Sequence, residues 1–501
     1  MSKENEQKDK GIIKHAPLLL LHIVKSKEVN FVLTQFTALI LAGLLRTSLS
    51  PIATTPAARH VYGLTIGLAL GYFCFGRQAI HLASLPALCY IAMRTQNPRH
   101  MQRVVLAIAL IYLSCIHCHR QIYDYGSYTL DITGPLMVIT QKVTSLAFSI
   151  HDGLTRREEE LTPMQRHQAV QKMPTALEYF SYVFHFQALM AGPVIFYRDY
   201  IDFIHGHHMP GAQSLVGFYD KKSQGSEIIL EPSPTLIVIK KIMASLICAV
   251  VFITFIPIIP IQRVKEDEFL SNTTAVYKVW YLMLATMLVR FKYYYAWIFA
   301  DAICNNSGFG FNGYDEHGNA RWDAASNVDV YKFEMSLNFK SSIEHWNKRT
   351  NLWLRLVVYE RVRHNKIFYT YFLSALWHGF YPGYYLTFAS GAFFTVAARS
   401  VRRYVRPLFL ESERKQTFYD ILTFIATRVI MAYTTFSFVL LEFVPSIRVY
   451  LYLYLFPHLL GLIAIILLPR MGLLRKTHKP TAKAEIDHSV AASNGNTYKT
   501  M

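Results

Sequence analysis

Long stretches of apolar residues, separated by short polar connections, run along most of this 501-residue chain. A helix needs about twenty mostly apolar residues to cross a bilayer, although tilted or packed helices manage with fewer. The pattern therefore predicts an all-α bundle with about ten or eleven membrane-embedded helices. The strong runs comprise residues 31–45, 61–76, 79–93, 104–118, 242–261, 279–289, 367–398, 421–441 and 449–468, and two weaker ones comprise residues 134–150 and 176–195.

Other segments are too polar to face lipid and too apolar to be ordinary loops. Residues 336–362 interleave aromatic and apolar side chains with charged ones such as Lys348 and Glu360. This mixture predicts a helix that lies at the membrane interface or is buried in the bundle. The larger polar inserts cover residues 205–233 and 302–329.

The remaining organisation is simple. Residues 1–16 are polar and lack the short apolar core and the small-residue cleavage site of a cleavable signal peptide. Residues 17–470 contain no internal repeat and no linker, which predicts one membrane-embedded domain. Residues 471–501 begin as a basic tail and continue as a Ser/Ala/Asn/Gly-rich stretch, which predicts disorder.

Composition agrees with a membrane protein. Hydrophobic residues make up 52% of the chain and charged residues only 17%, whereas a soluble domain carries about 25% charged residues. The net charge of the chain is +18. In a membrane protein, such a surplus of Lys and Arg is explained by basic loops that hold helix ends at the cytosolic face and attract anionic lipids. Nucleic-acid binding is not predicted, because no domain-sized soluble segment exists to present a basic surface.

One residue that titrates near neutral pH lies inside the long apolar run at residues 367–398. His378 is the only side chain there that titrates near neutrality, and Gly379, Pro382 and Gly383 follow it closely. An ionisable group is costly inside a bilayer and usually faces a cavity or a partner, and broken backbone is tolerated there only against protein or water. A neutral imidazole is also a competent base. The residues alone leave open a catalytic base, a structural hydrogen bond between helices, or an interfacial aromatic cluster.

Asn347 follows a tryptophan in the segment His-Trp-Asn-Lys-Arg-Thr-Asn at residues 345–351. An amide offers both donors and an acceptor without titrating, so it can orient a base or polarise a carbonyl group. Taken alone, such an amide is more often an interhelical hydrogen bond than a catalytic group. Asn351 and Thr350 are comparable candidates by chemistry.

Two further patterns are given structural interpretations. Cys115, Cys118 and His119 match the pattern of covalent haem attachment. They end an apolar run instead of lying in a soluble domain, so we predict packing residues and no haem. We interpret the histidines of residues 205–208 as a polar loop with no acidic or thiol companion nearby, and no metal site is predicted.

A series of short motifs runs along the chain in order: residues 130–137, 149–153, 191–193 and 290–297, then Trp322-Asp323, Trp346-Asn347, residues 377–379 and residues 382–384. Each motif is common by itself. Together and in this order they resemble the membrane-bound O-acyltransferase family, specifically its lysophospholipid acyltransferase branch. The resemblance extends from the first apolar runs to about residue 403.

This resemblance implies a polytopic bundle that encloses a reaction chamber, with Asn347 and His378 as the catalytic pair. The two residues are 31 positions apart (378 − 347) on separate helices, so the helices must converge. The family implies an acyl-CoA donor and a lysophospholipid acceptor whose free glycerol hydroxyl attacks the thioester. His378 would then remove the hydroxyl proton, and Asn347 would orient the hydroxyl or polarise the thioester oxygen. The resemblance thus implies acyl-CoA as a co-substrate, and no metal or redox cofactor is expected.

The resemblance also suggests finer properties. The phosphates of CoA need cations, for which Lys292, Arg355, Arg361 and Arg363 are the candidates. Residues 374–385 look most like enzymes that act on lysophosphatidylethanolamine and lysophosphatidylserine, so these lipids are the expected acceptors. The family, together with the lack of a cleavable signal, implies a multi-pass protein of the endoplasmic reticulum membrane.

Two other functions stay open. A protein O-acyltransferase of the same fold would acylate a peptide, although the chain-wide likeness to the lysolipid branch argues against it. A transporter would use His378 in its pathway, but it would usually show sequence repeats and pairs of half-helices. Neither feature is detected in the sequence.

Overall fold

The computed structural model of this chain describes residues 27–126, 130–207 and 232–470. Nearly all regular structure in these residues is α-helical, so the predicted all-α class is confirmed. The predicted polar segment at residues 1–16 and the predicted disordered tail at residues 471–501 lie outside the described residues.

The helices are joined by short 3₁₀ turns and loops. Within the described residues, the one β pairing is an isolated antiparallel bridge between Tyr314 and Ala320. In chain order the helices are α1 (Lys27–Thr47), α2 (Pro56–Phe75), α3 (Ile80–Thr95), α4 (Met101–Tyr123), α5 (Thr133–Thr155), α6 (Pro163–Gln168), α7 (Ala176–Phe184), α8 (Tyr197–His205), α9 (Thr235–Phe255), α10 (Asp267–Asn272), α11 (Ala275–Asn306), α12 (Val330–Glu334), α13 (Phe339–His345), α14 (Lys348–Leu354), α15 (Lys366–His378), α16 (Pro382–Tyr404), α17 (Glu413–Leu440), α18 (Phe443–Tyr452) and α19 (Phe456–Arg470).

Among the described residues, four helices (α1, α4, α9 and α17) are long and apolar enough to cross a membrane, and α18 with α19 forms a fifth candidate bent by 76°. Their surfaces present large apolar side chains such as Ile40, Ile111 and Ile253, which are 68%, 65% and 69% exposed. Lipid tails tolerate such side chains, whereas water disfavours them. The ten or eleven embedded helices expected from the sequence include others too short for this test, such as α3 and α15 with 16 and 13 residues. The chain is thus built as a multi-pass membrane protein.

Helix α5 runs through the middle of the bundle, and 16 of its 23 residues are buried. Two of its buried polar side chains, Gln141 and Thr144, have partners on α14. Gln141 Nε2 donates to Thr350 Oγ1 at 2.9 Å, and Trp353 Nε1 donates to Thr144 Oγ1 at 2.9 Å. Polar groups buried in a membrane protein are stabilised by such bonds because no water is available to replace them. These contacts fix α14 against the centre of the bundle.

Residues 336–362 do not form the single helix that the sequence suggested. The chain forms α13 and α14 and then a π-helical turn at Arg355–Tyr359. The break between α13 and α14 lies at Trp346 and Asn347, and Asn347 has a φ of +47°. A left-handed residue interrupts a helix, and asparagine tolerates this conformation better than most residues. The break places Asn347 at a helix N-terminus instead of on a helix flank.

The helix in the long apolar run around His378 is interrupted at the place that Gly379, Pro382 and Gly383 predicted. Helix α15 ends at His378, Gly379 has a φ of +112°, and α16 begins at Pro382. The φ of Gly379 is strained for any residue with a Cβ. Gly383 allows α16 to approach the end of α17, since a Cβ there would lie 2.1 Å from the carbonyl oxygen of Ser437. The non-helical backbone is thereby packed against protein, as the membrane interior requires.

Candidate active site

A cavity of about 550 Å³ lies among α4, α5, α11, α14, α15, α16 and α17. His378 and Asn347 both line this cavity, so the structure brings together the two residues that the sequence analysis selected. Most of the cavity wall is apolar or aromatic, with Met137, Trp297 and Phe388 as examples. An apolar chamber with a few polar groups is suited to a lipid chain whose reactive end must be oriented.

The imidazole of His378 is oriented by its own helix. Its Nδ1 lies 2.6 Å from the carbonyl oxygen of Ser374, four residues earlier. Because a carbonyl oxygen only accepts, Nδ1 carries the proton and Nε2 of the neutral ring keeps its lone pair. Phe388 and Phe438 flank the ring, with centroids 4.8 and 5.2 Å from that of the imidazole. The ring is therefore held in one orientation in largely apolar surroundings, with Nε2 left able to accept a proton.

His117 on α4 supports the backbone next to His378. Its Nε2 lies 3.1 Å from the carbonyl oxygen of Trp377 and donates to it. A Cβ at Gly379 would lie 3.1 Å from the His117 ring, so the ring packs tightly against the end of α15. The sequence analysis missed His117, because a histidine near the end of an apolar run does not reveal which distant residue it will meet.

Asn347 stands at the N-terminus of α14 but does not cap it. A cap residue usually accepts a hydrogen bond from the first backbone N–H groups of the helix, and the side chain of Asn347 makes no such bond. Its Oδ1 instead accepts from Nδ2 of Asn327 at 3.1 Å. Within the described residues the Nδ2 group of Asn347 has no hydrogen-bond partner, so it is the group that can donate to a substrate in the cavity.

The neighbouring polar candidates are engaged in structural hydrogen bonds. Nδ2 of Asn351 donates to the carbonyl oxygens of Ile343 at 2.6 Å and Trp346 at 2.9 Å, which braces the α13–α14 connection. Thr350 accepts its bond from α5. Both residues also line the cavity, but their principal bonds are already made within the protein. The sequence left these three side chains equivalent by chemistry, and their hydrogen bonds now separate them.

A charged cluster borders the cavity and comprises Arg290, Tyr294, Glu334 and Arg428. Nε and Nη2 of Arg290 each donate to the Glu334 carboxylate at 2.9 Å. Tyr294 donates to the same carboxylate at 2.7 Å, and Arg428 at 3.2 Å. Two guanidinium groups share one carboxylate, so the cluster keeps a net positive charge, and Arg290 itself lines the cavity. The sequence analysis missed Glu334 and Arg428, whose pairing joins segments 94 residues apart.

None of the four cations expected to bind CoA phosphates is among the described residues that line the cavity. Arg361 donates twice to the fully buried carboxylate of Asp152, at 2.9 and 2.6 Å. Arg355 pairs with a neighbouring glutamate at 2.5 Å. The ammonium of Lys292 lies 5.0 Å from the centroid of an adjacent tyrosine ring, and Arg363 is exposed. Arg361 therefore neutralises a buried charge, which the sequence did not indicate.

Cys115 and Cys118 are exposed on the outer side of α4. The prediction that they are packing residues is therefore wrong, because an apolar run does not say which side of its helix meets lipid. The exposed His119 ring contacts the Tyr123 ring in a tilted arrangement, with centroids 4.7 Å apart and an angle of 42° between the planes. The absence of haem stays a prediction.

The interpretation that residues 205–208 have no acidic neighbour is also wrong. Nδ1 of His207 lies 3.7 Å from the carboxylate of Asp202, on α8. Within the described residues no group of three or more His, Cys, Asp or Glu side chains is arranged to hold a metal ion. Residue 208 lies outside the described residues.

Comparison with known proteins adds independent information. A family model described as MBOAT, membrane-bound O-acyltransferase family, matches residues 118–443. Lysophospholipid acyltransferase 6 of Drosophila melanogaster is 56% identical over 443 residues, which cover 88% of this chain and 61% of that protein. Membrane-bound glycerophospholipid O-acyltransferase 2 of Mus musculus is 41% identical over 462 residues, or 92% of this chain and 88% of that protein. Lysophospholipid acyltransferase of Schizosaccharomyces pombe is 32% identical over 441 residues, or 85% of this chain and 82% of that protein.

The chain therefore belongs to the membrane-bound O-acyltransferase family, and the resemblance recognised in the sequence is confirmed. It is an O-acyltransferase of the membrane. The segment matched by the family model includes both Asn347 and His378. The chain spans less than two thirds of the Drosophila protein, with 61% of its length aligned.

Proposed function

We propose that this O-acyltransferase transfers a fatty acyl group from acyl-CoA to the free glycerol hydroxyl of a lysophospholipid. One observation carries the proposal: His378, whose Nε2 keeps its lone pair, and Asn347, whose Nδ2 can donate, line the same apolar cavity. The relatives are named as lysophospholipid or glycerophospholipid acyltransferases, and this supports the class of acceptor.

The chemistry uses the two residues in sequence. Nε2 of His378 removes the proton of the glycerol hydroxyl while the hydroxyl oxygen attacks the carbonyl carbon of the thioester. The carbonyl oxygen becomes negative in the tetrahedral intermediate and accepts a hydrogen bond from Nδ2 of Asn347. When the intermediate collapses, the C–S bond breaks and the imidazolium returns its proton to the CoA thiolate. The apolar cavity limits water, which would otherwise hydrolyse the thioester.

The cavity also matches the amphipathic character of the acceptor. Apolar and aromatic side chains surround the space in which an acyl chain would lie. The net positive charge of the charged cluster around Arg290 favours the phosphate of a lysophospholipid at that side of the cavity. The acceptor can therefore arrive from the bilayer with its chain in the apolar region and its phosphate near Arg290.

An assay of purified protein with labelled acyl-CoA and a panel of lysophospholipids tests the proposal. We expect label in phospholipid, and faster conversion of lysophosphatidylethanolamine or lysophosphatidylserine than of lysophosphatidylinositol. A preference for the inositol lipid would contradict the headgroup assignment and leave acyl transfer intact. Label in protein would instead favour a protein O-acyltransferase. Transport without any labelled product would favour the transporter function.

Of the four cations named from the sequence, Arg363 is the one proposed here to bind the CoA phosphates, because Arg361 and Arg355 are already paired with carboxylates. Arg363 is exposed and makes no ion pair within the described residues. We expect Arg363→Ala to raise the KM for acyl-CoA by about tenfold, the effect of losing one charged hydrogen bond. Arg361→Ala should instead lower the thermal stability, because it leaves the buried Asp152 carboxylate without its main partner. An unchanged KM in the folded Arg363→Ala variant would exclude Arg363 from the CoA site.

The proposed location is the endoplasmic reticulum membrane. The multi-pass fold supports residence in a membrane, and the resemblance to the lysophospholipid branch suggests which membrane. Co-fractionation of the tagged protein with markers of this organelle is the expected result, and enrichment in another membrane fraction would contradict the assignment.

A further inference from the structure

Helix α14 begins without a cap of its own, and a different segment of the chain supplies one. The backbone oxygen of Asn327 accepts from the N–H of Lys348 at 2.7 Å, and its Oδ1 accepts from the N–H of Arg349 at 3.1 Å. These are the first two N–H groups of α14, which have no partner within the helix. Asn327 therefore performs the capping function that a residue at the Asn347 position usually performs.

The same side chain of Asn327 also contacts the catalytic amide. Its Nδ2 donates to Oδ1 of Asn347 at 3.1 Å. Because its own Oδ1 is held by the N–H of Arg349, the Asn327 amide has a single orientation that satisfies both bonds. A donor at this place attracts the oxygen of Asn347 and leaves the NH₂ group of Asn347 for the cavity.

The loop that carries Asn327 is itself anchored. Asn327 is only 4% exposed. The hydroxyl of Ser326 donates to the buried carboxylate of Asp301 on α11 at 2.6 Å. Lys241 on α9 donates to the same carboxylate at 2.6 Å and to the carbonyl oxygen of Trp322 at 2.8 Å. The donor to Asn347 is thus fixed before any substrate binds, which is the arrangement that efficient transition-state stabilisation requires.

We infer that Asn327 is a positioning residue that selects which end of the Asn347 amide faces the substrate. The two ends of an amide have nearly the same shape but opposite hydrogen-bonding character. With the NH₂ end toward the cavity, Asn347 stabilises the oxyanion of the thioester. With the oxygen end toward the cavity, it repels that oxyanion. This inference rests on the proposed function, in which Asn347 donates to the thioester oxygen.

The test is Asn327→Asp, which keeps the shape of the side chain and an acceptor for the N–H of Arg349. A carboxylate only accepts, so the Asn347 amide turns its NH₂ toward the new carboxylate and presents its oxygen to the cavity. We expect kcat to fall by about 10²-fold, the effect of removing one oxyanion donor. The KM values for acyl-CoA and lysophospholipid should stay within about twofold, since uniform substrate binding is unchanged.

A matched control is available at the N-terminus of α13. Asn338 caps this helix by accepting from the N–H of Ser341 at 3.0 Å, and no contact between Asn338 and Asn347 is found in the described part of the chain. Asn338→Asp makes the same chemical change at another asparagine that caps a helix N-terminus, here at a half-buried position. Its kcat should stay within about twofold of the wild type, because a negative charge is compatible with a helix N-terminus. An equal loss in both variants would overturn the positioning role.

A double variant separates positioning from general structural support. If Asn327 acts only through Asn347, then Asn327→Asp should change kcat by less than about threefold in the Asn347→Ala background. An undiminished further loss in that background would overturn the inference. If Asn327→Asp does not fold, Asn327→Ala removes the donor to Asn347 without introducing a buried charge, and its effect on kcat should likewise fall below about threefold in the Asn347→Ala background.

The outcomes distinguish this inference from the proposed function. A fully active Asn347→Ala would refute the catalytic amide itself. An impaired Asn347→Ala beside a fully active Asn327→Asp would refute only the positioning role of Asn327.

Discussion

His378 and Asn347 face the same cavity but are held in place in different ways. The imidazole of His378 is oriented by a carbonyl oxygen of its own helix, four residues earlier. The amide of Asn347 is oriented by Asn327, which is 20 residues away on a separate loop. The orientation of the base therefore follows once α15 has formed, whereas the orientation of the amide depends on the assembly of several segments.

The backbone conformation at the two sites also differs in how far it depends on residues distant in the sequence. The turn after His378 uses glycine, which adopts the φ of +112° at Gly379 without a clash from a side chain. Asn347 adopts a φ of +47° although it carries a side chain, a conformation that costs roughly 1–3 kcal/mol. The contacts made by Asn327 must offset this strain. The Asn347 side of the cavity is therefore the side more sensitive to distant substitutions.

The largest effect is expected at the locally held base. His378→Ala removes the group that accepts the hydroxyl proton, so kcat should fall by about 10²–10⁴-fold. The variant should still be extracted as folded protein and should still bind acyl-CoA, because His378 is not assigned to the CoA phosphates. Turnover of the purified protein and its elution profile measure both properties. A folded variant with near-normal turnover would contradict the mechanism.

The amide should show a comparable effect. Asn347→Ala removes the donor to the oxyanion, and a loss of about 10²–10³-fold in kcat is expected. Groups that act together are strongly non-additive, so the double variant with His378→Ala should be little worse than the less active single variant. Losses that multiply in the double variant would show that the two residues act on separate steps.

A smaller effect is expected at the neighbouring amide. Asn351→Ala removes two hydrogen bonds from backbone carbonyls, so the free energy of unfolding should fall by roughly 1–3 kcal/mol while substantial activity remains. His345→Ala should also retain substantial activity, since its Nδ1 bonds the carbonyl oxygen of Ser341 and the residue is not part of the cavity wall. Thermal unfolding and turnover measure the two effects. A dead Asn351→Ala beside an active Asn347→Ala would identify Asn351 as the catalytic amide.

The smallest effect is expected on the outer side of α4. His117 of this helix packs beneath Gly379, whereas Cys115 and Cys118 are exposed on the other side. Replacing both cysteines by serine should leave a folded and active enzyme, because neither thiol supports the cavity. The absorption spectrum of the pure wild-type protein should show no haem band. A Soret band that disappears in the cysteine variant would overturn this prediction.

Several features were predictable from local sequence alone. Apolar runs predicted the all-α membrane architecture, because the preference of a segment for lipid is a sum over its own residues. The break after His378 was predictable from Gly379 and Pro382, since both act on the backbone at their own positions. His378 was itself conspicuous, because a titratable residue in an apolar run requires a cavity or a partner.

Other features could not be predicted from local sequence, because they depend on how distant segments pack together. No glycine or proline marks the break at Asn347 in the sequence. The prediction of a single helix at residues 336–362 was therefore wrong. Family resemblance singled out Asn347 over Asn351, and no local pattern distinguished these two amides. Their hydrogen bonds distinguish the two amides. Nδ2 of Asn351 donates to backbone carbonyl oxygens, whereas Nδ2 of Asn347 can still donate to a group in the cavity.

The sequence by itself determined the membrane bundle, the family and the catalytic candidates, and the tertiary structure decided the partner of each polar group. Arg361 looked like a phosphate ligand in the sequence and pairs with Asp152, 209 residues away. Asn327 gave no signal at all, although it orients Asn347. The physical reason is the separation in sequence over which each effect acts. Transfer to lipid and backbone preference are local properties, whereas a side-chain hydrogen bond forms only when folding brings two distant groups within about 3 Å.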